Sequence, residues 1–324
     1  MTASTEFCKR LGIDVPLICG AMYPCSNPEL VAAVSEAGAI GIVQPLSLTY
    51  VHGYDFRKGL RYIRSLTDRP VGVNLIIEKS SSKYLERVHQ WLDISLEEDV
   101  KFFVTALGNP RWVVDQAGPS GATVYHDVTH RRWAEKALDG GVDGFICVNN
   151  RAGGHAGELS PQQLLDDIGP LGKPLICAGG IGQPADFAAA LQAGFAGAQL
   201  GTRFIASKEC SAHDDYKQAI LRAREEDIVL TEKISGIPVS VIKTPYIERI
   251  GTHAGPVAKW LLRRRKTKHW MRTLYSLQSI WSLKRAALQG MNYRDYFQAG
   301  KSVAGIHDIQ PAGEIVTEFA QALK

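Results

Sequence analysis

The sequence predicts an α/β fold, a (β/α)8 or TIM barrel with a smaller helical domain inserted after strand eight. Eight short runs rich in apolar and β-branched residues follow one another within residues 1–207. Helical segments of about a dozen residues separate them. Runs such as residues 71–77 are apolar almost throughout, which is typical of parallel strands covered on both faces. Eight strand–helix alternations favour a closed barrel, and an open doubly wound sheet is the alternative.

Each predicted strand is a short apolar run that ends near glycine, asparagine or another polar residue. Between the strands, apolar residues recur at helical spacing. The predicted strands are Pro16–Met22, Ile40–Pro45, Val71–Ile77, Lys101–Leu107, Thr123–Val128, Gly144–Asn149, Pro174–Gly180 and Gly197–Phe204. The predicted helices include Pro28–Ala37, Arg131–Asp139, Ser160–Asp167 and Pro184–Ala193.

Residues 208–300 interrupt this alternation. Pro238–Ile242 is the one strand predicted there, and the rest is helical in composition. Pro311–Lys324 carries apolar side chains at helical spacing, which predicts an amphipathic helix. We therefore divide the chain into a barrel of residues 1–207, a mainly helical cap of residues 208–300, and residues 301–324, whose helix returns to the barrel.

Composition narrows the class of protein. Hydrophobic residues make up 45% and charged residues 22% of the 324. These values exclude a disordered chain, a collagen and a protein with many membrane spans. The first residues lack the basic and apolar regions of a signal peptide, and none of the six cysteines forms a CxxC pair. We expect a cytoplasmic protein with reduced thiols.

One segment carries most of the excess positive charge. Seven of the 37 Lys and Arg residues lie in Lys259–Arg272, which holds no acidic residue, although the net charge of the chain is only +4. Without this segment the chain is mildly acidic. The pattern predicts the solvated face of an amphipathic helix with buried aromatic residues. A phosphorylated or acidic ligand, a membrane surface and a carrier protein are the alternatives.

Glycines concentrate where a barrel has its active site, at the carboxyl ends of the strands. Gly179 and Gly180 end predicted strand seven, and Gly201 and Thr202 lie within the last residues of predicted strand eight. Glycine lets backbone N–H groups approach an anion, and the helices that follow add positive N-terminal dipoles. Two such clusters on consecutive strands predict a phosphate site, and tight turns alone are the alternative.

Other common site motifs have weaker support. Residues 180–185 fit the G-x-G-x-x-G/A dinucleotide pattern, but the acidic residue expected about 20 positions later is missing. His126 and His130 have the spacing of a metal pair, yet a zinc site needs a third ligand and a helix, and His126 lies in a predicted strand. No GxSxG or Walker A motif is present, so serine-hydrolase and P-loop functions are unsupported. We predict no metal site.

His155 is the titratable residue that best fits acid–base chemistry. It follows two glycines just after strand six, so the backbone there can bend toward the end of the barrel. Imidazole titrates near neutrality and can take or give a proton at pH 7. A histidine that only hydrogen-bonds its own loop is the alternative.

Three motifs follow one another along the second half of the barrel: AGGHAG at Ala152–Gly157, ICAGGI at Ile176–Ile181 and AQLGTRF at Ala198–Phe204. Together with Pro16–Met22 and Gly72–Leu75, they resemble the nitronate monooxygenase family, formerly called 2-nitropropane dioxygenases. The resemblance covers about residues 5 to 240. It is specific for an FMN-dependent superfamily and less specific for substrate, because flavin enoyl-acyl-carrier-protein reductases and NAD(P)H:quinone reductases share these motifs.

The resemblance implies a barrel that binds FMN. His155 matches the family's catalytic histidine beside the flavin, which serves as the base when a neutral nitroalkane is the substrate. Ala21 and Met22 would line the isoalloxazine ring, and Asn74 would hydrogen-bond to it. The implied cofactor-binding residues are Gly20, Ala21, Met22, Asn74, Gly154, Ala178, Gly179, Gly180, Gln199, Gly201 and Thr202.

The chain departs from the family pattern at two positions. Relatives often carry Glu before Ala-Gly-Gly-His, where this chain has Arg151. Many carry a lysine after strand five, where this chain has Asp127. A carboxylate there would disfavour an anionic nitronate nearby.

The leading hypothesis is an FMN-dependent oxidoreductase that oxidises alkyl nitronates or nitroalkanes with dioxygen, with His155 as the catalytic acid or base. One alternative is an NAD(P)H-dependent flavin reductase of the enoyl-acyl-carrier-protein or quinone type. Another is a flavin-binding module with little turnover. The expected partners are a small-molecule substrate and dioxygen, and the fold suggests a homodimer. We expect neither nucleic-acid binding nor a membrane span.

Overall fold

The computed structural model describes residues 5–78, 81–233, 238–252, 285, 288 and 296–323. Eight parallel strands close into a barrel in the order of the sequence, which confirms the predicted fold class. Strand pairing between Leu17 and Ala198 joins the first strand to the eighth and closes the ring. The strands are β1 (Leu17–Cys19), β2 (Ile40–Val43), β3 (Val71–Ile76), β4 (Phe102–Ala106), β5 (Thr123–Val128), β6 (Gly144–Val148), β7 (Leu175–Ala178) and β8 (Gly197–Leu200).

The predicted end of strand eight is wrong. β8 stops at Leu200, and Thr202–Ile205 forms a short helix instead. The N–H groups of Phe204 and Ile205 bond to the carbonyl of Gly201 at 2.9 and 3.1 Å. These two bonds turn the chain out of the barrel wall, so Thr202 begins a helix rather than continuing the strand.

Helices separate the strands and cover the outside of the barrel. Short 3-10 turns at Gly118–Ser120, Gly169–Leu171, Glu225–Asp227 and Lys301–Gly305 and a π-helical turn at Ser47–Val51 complete the helical content described here. The helices are α1 (Glu6–Leu11), α2 (Pro28–Glu36), α3 (Phe56–Leu66), α4 (Ser82–Glu97), α5 (Arg111–Ala117), α6 (Arg131–Asp139), α7 (Pro161–Ile168), α8 (Pro184–Ala193), α9 (Thr202–Ile205), α10 (Asp214–Arg222), α11 (Pro245–Ile250) and α12 (Ala312–Gln321).

Local capping fixes the start of α8, which follows strand β7. Asp186 Oδ2 accepts hydrogen bonds from the N–H groups of Gly182 and Gln183 at 3.0 and 3.2 Å. A carboxylate in this position satisfies free N–H groups at a helix start. The same two N–H groups belong to the G-x-G-x-x-G/A pattern, and here they are engaged within the protein.

Side chains alternate between the inside of the barrel and the layer beneath the helices. Val104 and Tyr125 are buried together inside, whereas Val124 is buried in the outer layer. Helix α1 closes the amino-terminal end of the barrel. The ring of Phe7 lies 6.2 Å from the ring of Phe102 and 5.6 Å from that of Tyr125. A candidate site therefore has to lie at the opposite end of the barrel, at the carboxyl ends of the strands. We call this end the mouth.

Helix α12 takes the place of the eighth barrel helix. It packs against α2, which follows the first strand, and against α8, which follows the seventh. The ring of Phe319 in α12 lies 5.7 Å from the ring of Phe187 in α8. The outer ring of helices is thus completed by residues more than a hundred positions beyond β8.

The chain between β8 and α12 adds a small sheet. Strands β9 (Ile228–Thr231) and β10 (Val239–Ile242) pair antiparallel. β10 confirms the strand predicted at Pro238–Ile242, whereas β9 is not predicted, because it is only partly buried and directly follows an acidic turn. The basic segment Lys259–Arg272 lies outside the described residues, and the division into three domains stays a prediction. No helix in the described part of the chain is long and apolar enough to cross a membrane.

Candidate active site

The ends of β1 and β8 meet at one side of the mouth. The N–H of Gly20 bonds to the carbonyl of Leu200 at 2.9 Å. A Cβ atom at Gly20 would lie 2.9 Å from Cγ of Gln199, so glycine leaves the space that the Gln199 side chain occupies. A Cβ atom at Gly201 would lie 3.5 Å from the sulfur of Met22. The structure therefore brings together the predicted cofactor residues of the first and last strands.

The loop after β6 lies directly on the end of β7. Gly179 and Gly180 have φ angles of 118° and 82°, which favour glycine. A Cβ atom at Gly179 would lie 2.5 Å from the backbone nitrogen of Ala152, and one at Gly180 would lie 2.6 Å from Nε of Arg151. Both glycines are required by this close approach. Their predicted contact with a phosphate would be an additional role and stays a prediction.

Asn149 joins the loop after β6 to β7, a role that sequence reasoning missed. Its buried side chain donates from Nδ2 to the carbonyl of Gly179 at 3.0 Å. Its Oδ1 accepts the N–H of Arg151 at 2.8 Å. An asparagine directly after a buried strand is the signal that could have found it, since such a side chain can bond its own turn.

Polar side chains at the mouth end of the barrel interior contrast with the apolar residues beneath them. Asn74 in β3 is buried and donates from Nδ2 to the carbonyl of Val104 at 3.1 Å. Gln199 in β8 and Asp127 in β5 each hold a buried side-chain oxygen without a hydrogen-bond partner in the described part of the chain. Ala178 is buried among the inner residues, and Ala21 packs against them. Buried oxygens of this kind normally have a partner.

The loop that carries His155 is fixed from outside the barrel. The N–H of Ser240 in β10 bonds to the carbonyl of Gly154 at 2.7 Å. The N–H of Lys301 bonds to the carbonyl of Arg151 at 2.9 Å. These partners lie 86 and 150 positions away from the loop residues that they bond, and no local sequence pattern identifies them.

His155 itself is solvent-exposed and makes no hydrogen bond to any described residue. The surrounding protein desolvates the imidazole in part, and this desolvation lowers its pKa below the ordinary value of 6.5. At neutral pH the ring is therefore mostly uncharged. An uncharged imidazole at the mouth can accept a proton from a substrate, which is compatible with the predicted acid–base role.

A charged cluster fixes the side chain of Arg151. Nη1 and Nη2 bond to the two carboxylate oxygens of Glu225 at 2.9 and 2.8 Å, and Nζ of Lys301 lies 3.5 Å from Glu225 Oε1. The guanidinium lowers the pKa of Glu225. The positive charge of Arg151, where the chain departs from the family pattern, is thus paired with a carboxylate from the turn after α10.

Thr202 and the chain after residue 298 also meet at the mouth. Oγ1 of Thr202 accepts the N–H of Gly300 at 3.0 Å. A Cβ atom at Gly300 would lie 2.7 Å from the backbone nitrogen of Gly153. The hydroxyl hydrogen of Thr202 is left to donate to another acceptor, which is compatible with the predicted phosphate contact.

His126 and His130, which have the spacing of a metal pair in the sequence, take part in no group of three potential metal ligands in the described residues. His126 is buried, and its Nδ1 lies 2.8 Å from Oγ1 of Thr105. Burial lowers the pKa of His126 to about 4. His130 is the residue directly before α6, and its side chain makes no hydrogen bond to the start of that helix. No group of three or more potential metal ligands converges anywhere in the part of the chain that the structure describes.

The sequence matches the model of one protein family, described as nitronate monooxygenase, over residues 4–322. The chain belongs to the nitronate monooxygenase family. This confirms the resemblance drawn from the three motifs and extends it from about residue 240 through α12. The family is a group of oxidoreductases, and its members differ in substrate.

Individual family relatives illustrate this spread. The chain is 24% identical to (3aS,4S,5R,7aS)-5-hydroxy-7a-methyl-1-oxo-octahydro-1H-indene-4-carboxyl-CoA dehydrogenase of Rhodococcus jostii, over 100% of this chain and 97% of that protein. It is 29% identical to nitronate monooxygenase of Paraburkholderia phytofirmans, over 70% of this chain and 73% of that protein. Among solved structures, FabK from Thermotoga maritima superposes with a TM-score of 0.81 at 28% identity, covering 98% of this chain and 96% of that one.

Proposed function

We propose that the protein is an FMN-dependent oxidoreductase that binds its cofactor at the mouth. The observation that carries the proposal is the side chain of Gln199, whose buried Oε1 has no partner among the described residues. Because buried amide groups nearly always have a partner, this one calls for a ligand. A flavin ring carries both hydrogen-bond donors and acceptors and supplies such a partner.

The residues around the mouth fit FMN. The backbone N–H groups of Gly179, Gly180 and Gly201 and the hydroxyl of Thr202 would donate to its phosphate at the strand ends. The ring would lie on the inner side of the mouth, against Ala21, Met22, Asn74 and Gln199. When bound, FMN would take electrons from the substrate and pass them to dioxygen.

His155 supplies the proton chemistry in this proposal. Its imidazole is mostly neutral at pH 7, because the surrounding protein lowers its pKa. It can therefore remove the proton on the carbon beside a nitro group. His155 is the residue of the mouth whose replacement tests the acid–base role most directly.

The charges at the mouth favour a neutral nitroalkane over the preformed nitronate anion. Asp127 is a carboxyl group at this end of the barrel, and Arg151 is already paired with Glu225. Lys301, 3.5 Å from Glu225, gives this cluster one excess positive charge, but Asp127 is the ionisable group on the inward face where the substrate is proposed to bind, and its carboxylate would repel an anion. The proposed substrate class is therefore the nitroalkanes, with nitronates as slower substrates. A cytoplasmic location and a homodimer belong to the same proposal.

A second candidate is an oxidoreductase of acyl thioesters that exchanges electrons with a nicotinamide. The Rhodococcus jostii relative is named as a dehydrogenase of a carboxyl-CoA compound, and its alignment spans the whole of this chain. The alignment with the Paraburkholderia phytofirmans nitronate monooxygenase spans 70%. This difference in coverage is what favours the thioester hypothesis.

An anaerobic titration of the FMN-loaded protein separates the two. The visible spectrum is recorded, and nitroethane, its nitronate, NADH and NADPH are added to separate samples. Bleaching by nitroethane faster than by the nitronate supports the first proposal. Bleaching by a nicotinamide alone moves the assignment to the thioester oxidoreductase, and failure of the protein to bind FMN removes both.

The role of His155 is tested in the same assay. His155→Gln keeps a polar side chain but removes the base, and we expect reduction by nitroethane to slow by about 100-fold or more while FMN stays bound. Glu158→Gln changes an exposed residue of the same loop and serves as the control. Equal rates in the His155→Gln variant and the wild type would remove histidine from the mechanism.

A further inference from the structure

Asp127 lies on the inner face of the barrel at the mouth. Side chains alternate along β5, so Asp127 shares the inward side of Tyr125, which is buried among the interior residues. Strand register pairs Asn74 with Val104 and Val104 with Tyr125. Asp127 therefore lies two residues nearer the mouth along the ladder that holds Asn74, on the side where the cofactor is proposed to bind.

The carboxyl group of Asp127 makes no hydrogen bond or ion pair to any residue that the structure describes. Oδ1 is buried and unbonded, although the residue as a whole is only half-buried. One edge of the carboxyl group thus faces the interior, and the remainder reaches the mouth. An unpaired carboxylate in such a place is costly, so burial favours the protonated carboxyl group, which can donate a hydrogen bond to an acceptor on a ligand.

Burial is the cause of the shifted pKa of the Asp127 carboxyl group. It raises the pKa of Asp127 to about 7, and no charged neighbour contributes. The inward residues of the two adjacent strands, Val104 and Ala106 in β4 and Ile146 and Val148 in β6, do not titrate. The titratable groups of the surrounding elements are Tyr125 beneath it, His126 and Cys147 on the opposite strand faces, and Arg151 and His155 on the loop after β6.

We propose that Asp127 sets the reduction potential of the flavin by holding a proton at the mouth. This inference rests on the proposed FMN site. A protonated carboxyl group donates a hydrogen bond and favours added electron density on its partner, whereas a carboxylate repels it. Above the pKa of Asp127, its carboxylate would take up one proton from solvent when the cofactor is reduced, so that reduction would be coupled to the protonation of this side chain.

The test is the midpoint potential of the FMN-loaded protein as a function of pH, with dithionite as the reductant. Asp127→Asn keeps the shape of the side chain but cannot ionise. We expect its potential to match that of the wild type well below the pKa of Asp127 and to exceed it increasingly above that pKa. Asp167→Asn removes an exposed carboxylate on α7 and is the matched control, expected to follow the wild type throughout.

A second measurement keeps the proposal testable if Asp127→Asn folds poorly. The infrared band of a protonated carboxyl group is followed against pH in the wild type, with and without FMN. We expect a band that disappears near neutral pH without FMN and persists to higher pH when reduced FMN is bound.

The outcomes separate this inference from the function on which it rests. If FMN binds but the wild type and Asp127→Asn share one pH dependence, or the band does not respond to reduction, the role of Asp127 is wrong and the flavin site stands. If FMN does not bind to the wild type, both fail.

Discussion

The backbone N–H of Ser240 donates to the carbonyl of Gly154 at 2.7 Å, and this bond attaches the loop of His155 to strand β10. Gly154 directly precedes the histidine and has a φ angle of 66°. On its other edge β10 pairs with β9, so the loop extends a small sheet outside the barrel. The position of His155 therefore depends on a hairpin that contributes no residue to the barrel wall.

Removing this one hydrogen bond should impair turnover more than stability. Ser240→Pro eliminates the N–H that bonds Gly154, whereas Ser240→Ala keeps it. Because a shift of about 1 Å in a catalytic group can cost about 100-fold in rate, we expect Ser240→Pro to lower kcat by about tenfold or more with FMN still bound. Steady-state kinetics and flavin content measure both effects. Equal kcat values for the two variants would show that the bond does not position the loop.

The contact between Gly179 and the loop after β6 should not tolerate a methyl group. In Gly179→Ala, a Cβ atom at a φ of 118° would meet the backbone of Ala152 at 2.5 Å. We expect a loss of about 2 kcal/mol or more in the free energy of unfolding, together with weaker FMN binding. Gly313→Ala in α12 is the control: its Cβ meets only ordinary contacts, and it should stabilise the helix slightly. Urea unfolding of both variants gives the comparison.

The pair between Arg151 and Glu225 should contribute little stability, and only above acidic pH. Both side chains are more than a third exposed, so solvent weakens the attraction. We expect Glu225→Gln to cost about 0.5–1 kcal/mol at pH 7. Since the folded protein holds the pKa of Glu225 below its ordinary value, this stabilisation is present above the unfolded pKa and disappears as pH falls through the folded one. Glu226→Gln, at an exposed neighbour, should show neither effect.

Two adjacent residues of β5 should give opposite pH dependences of stability. Asp127 has a pKa raised from 3.8 to about 7, so between these values the folded state holds a proton that the unfolded state has lost, and stability falls as pH rises. His126 has a pKa lowered from 6.5 to about 4, so between these values the unfolded state holds the extra proton, and stability rises with pH. In the wild type the two slopes largely cancel between about pH 4 and 6.5.

Single substitutions in the cofactor-free protein should reveal the separate effects of His126 and Asp127 on how the free energy of unfolding depends on pH. In Asp127→Asn the free energy of unfolding should rise by about 1 kcal/mol per pH unit through this range, and in His126→Asn it should fall by a similar amount. Urea titrations at several pH values measure both. Parallel curves for the two variants and the wild type would mean that neither side chain titrates as its burial indicates.

The strands and helices of the barrel can be predicted because the sequence patterns that indicate them are local. Strand β5 was predicted with both ends correct, and α6 likewise, since each is a short periodic run bounded by polar or glycine residues. The end of β8 was not, because Thr202–Ile205 has apolar and β-branched residues that suit a strand. The hydrogen bonds from Phe204 and Ile205 to the Gly201 carbonyl make this segment helical, and the sequence pattern does not show them.

The candidate site was predictable only in part, for a related reason. Position at the strand ends indicates Gly179 and His155, whereas the family resemblance implies Gln199. Ser240 and Lys301, which bond the loop of His155, belong to distant parts of the chain with no motif of their own. Burial also determined the protonation of Asp127, and burial of a side chain near a strand end follows from the three-dimensional packing.

The late position of α12 affects the order in which the barrel can form during synthesis. The eighth strand leaves the ribosome long before helix α12. More than a hundred further residues must be translated before Phe319 can pack against Phe187 of α8. The nascent barrel therefore exposes an apolar seam between α2 and α8 for several seconds at ordinary elongation rates.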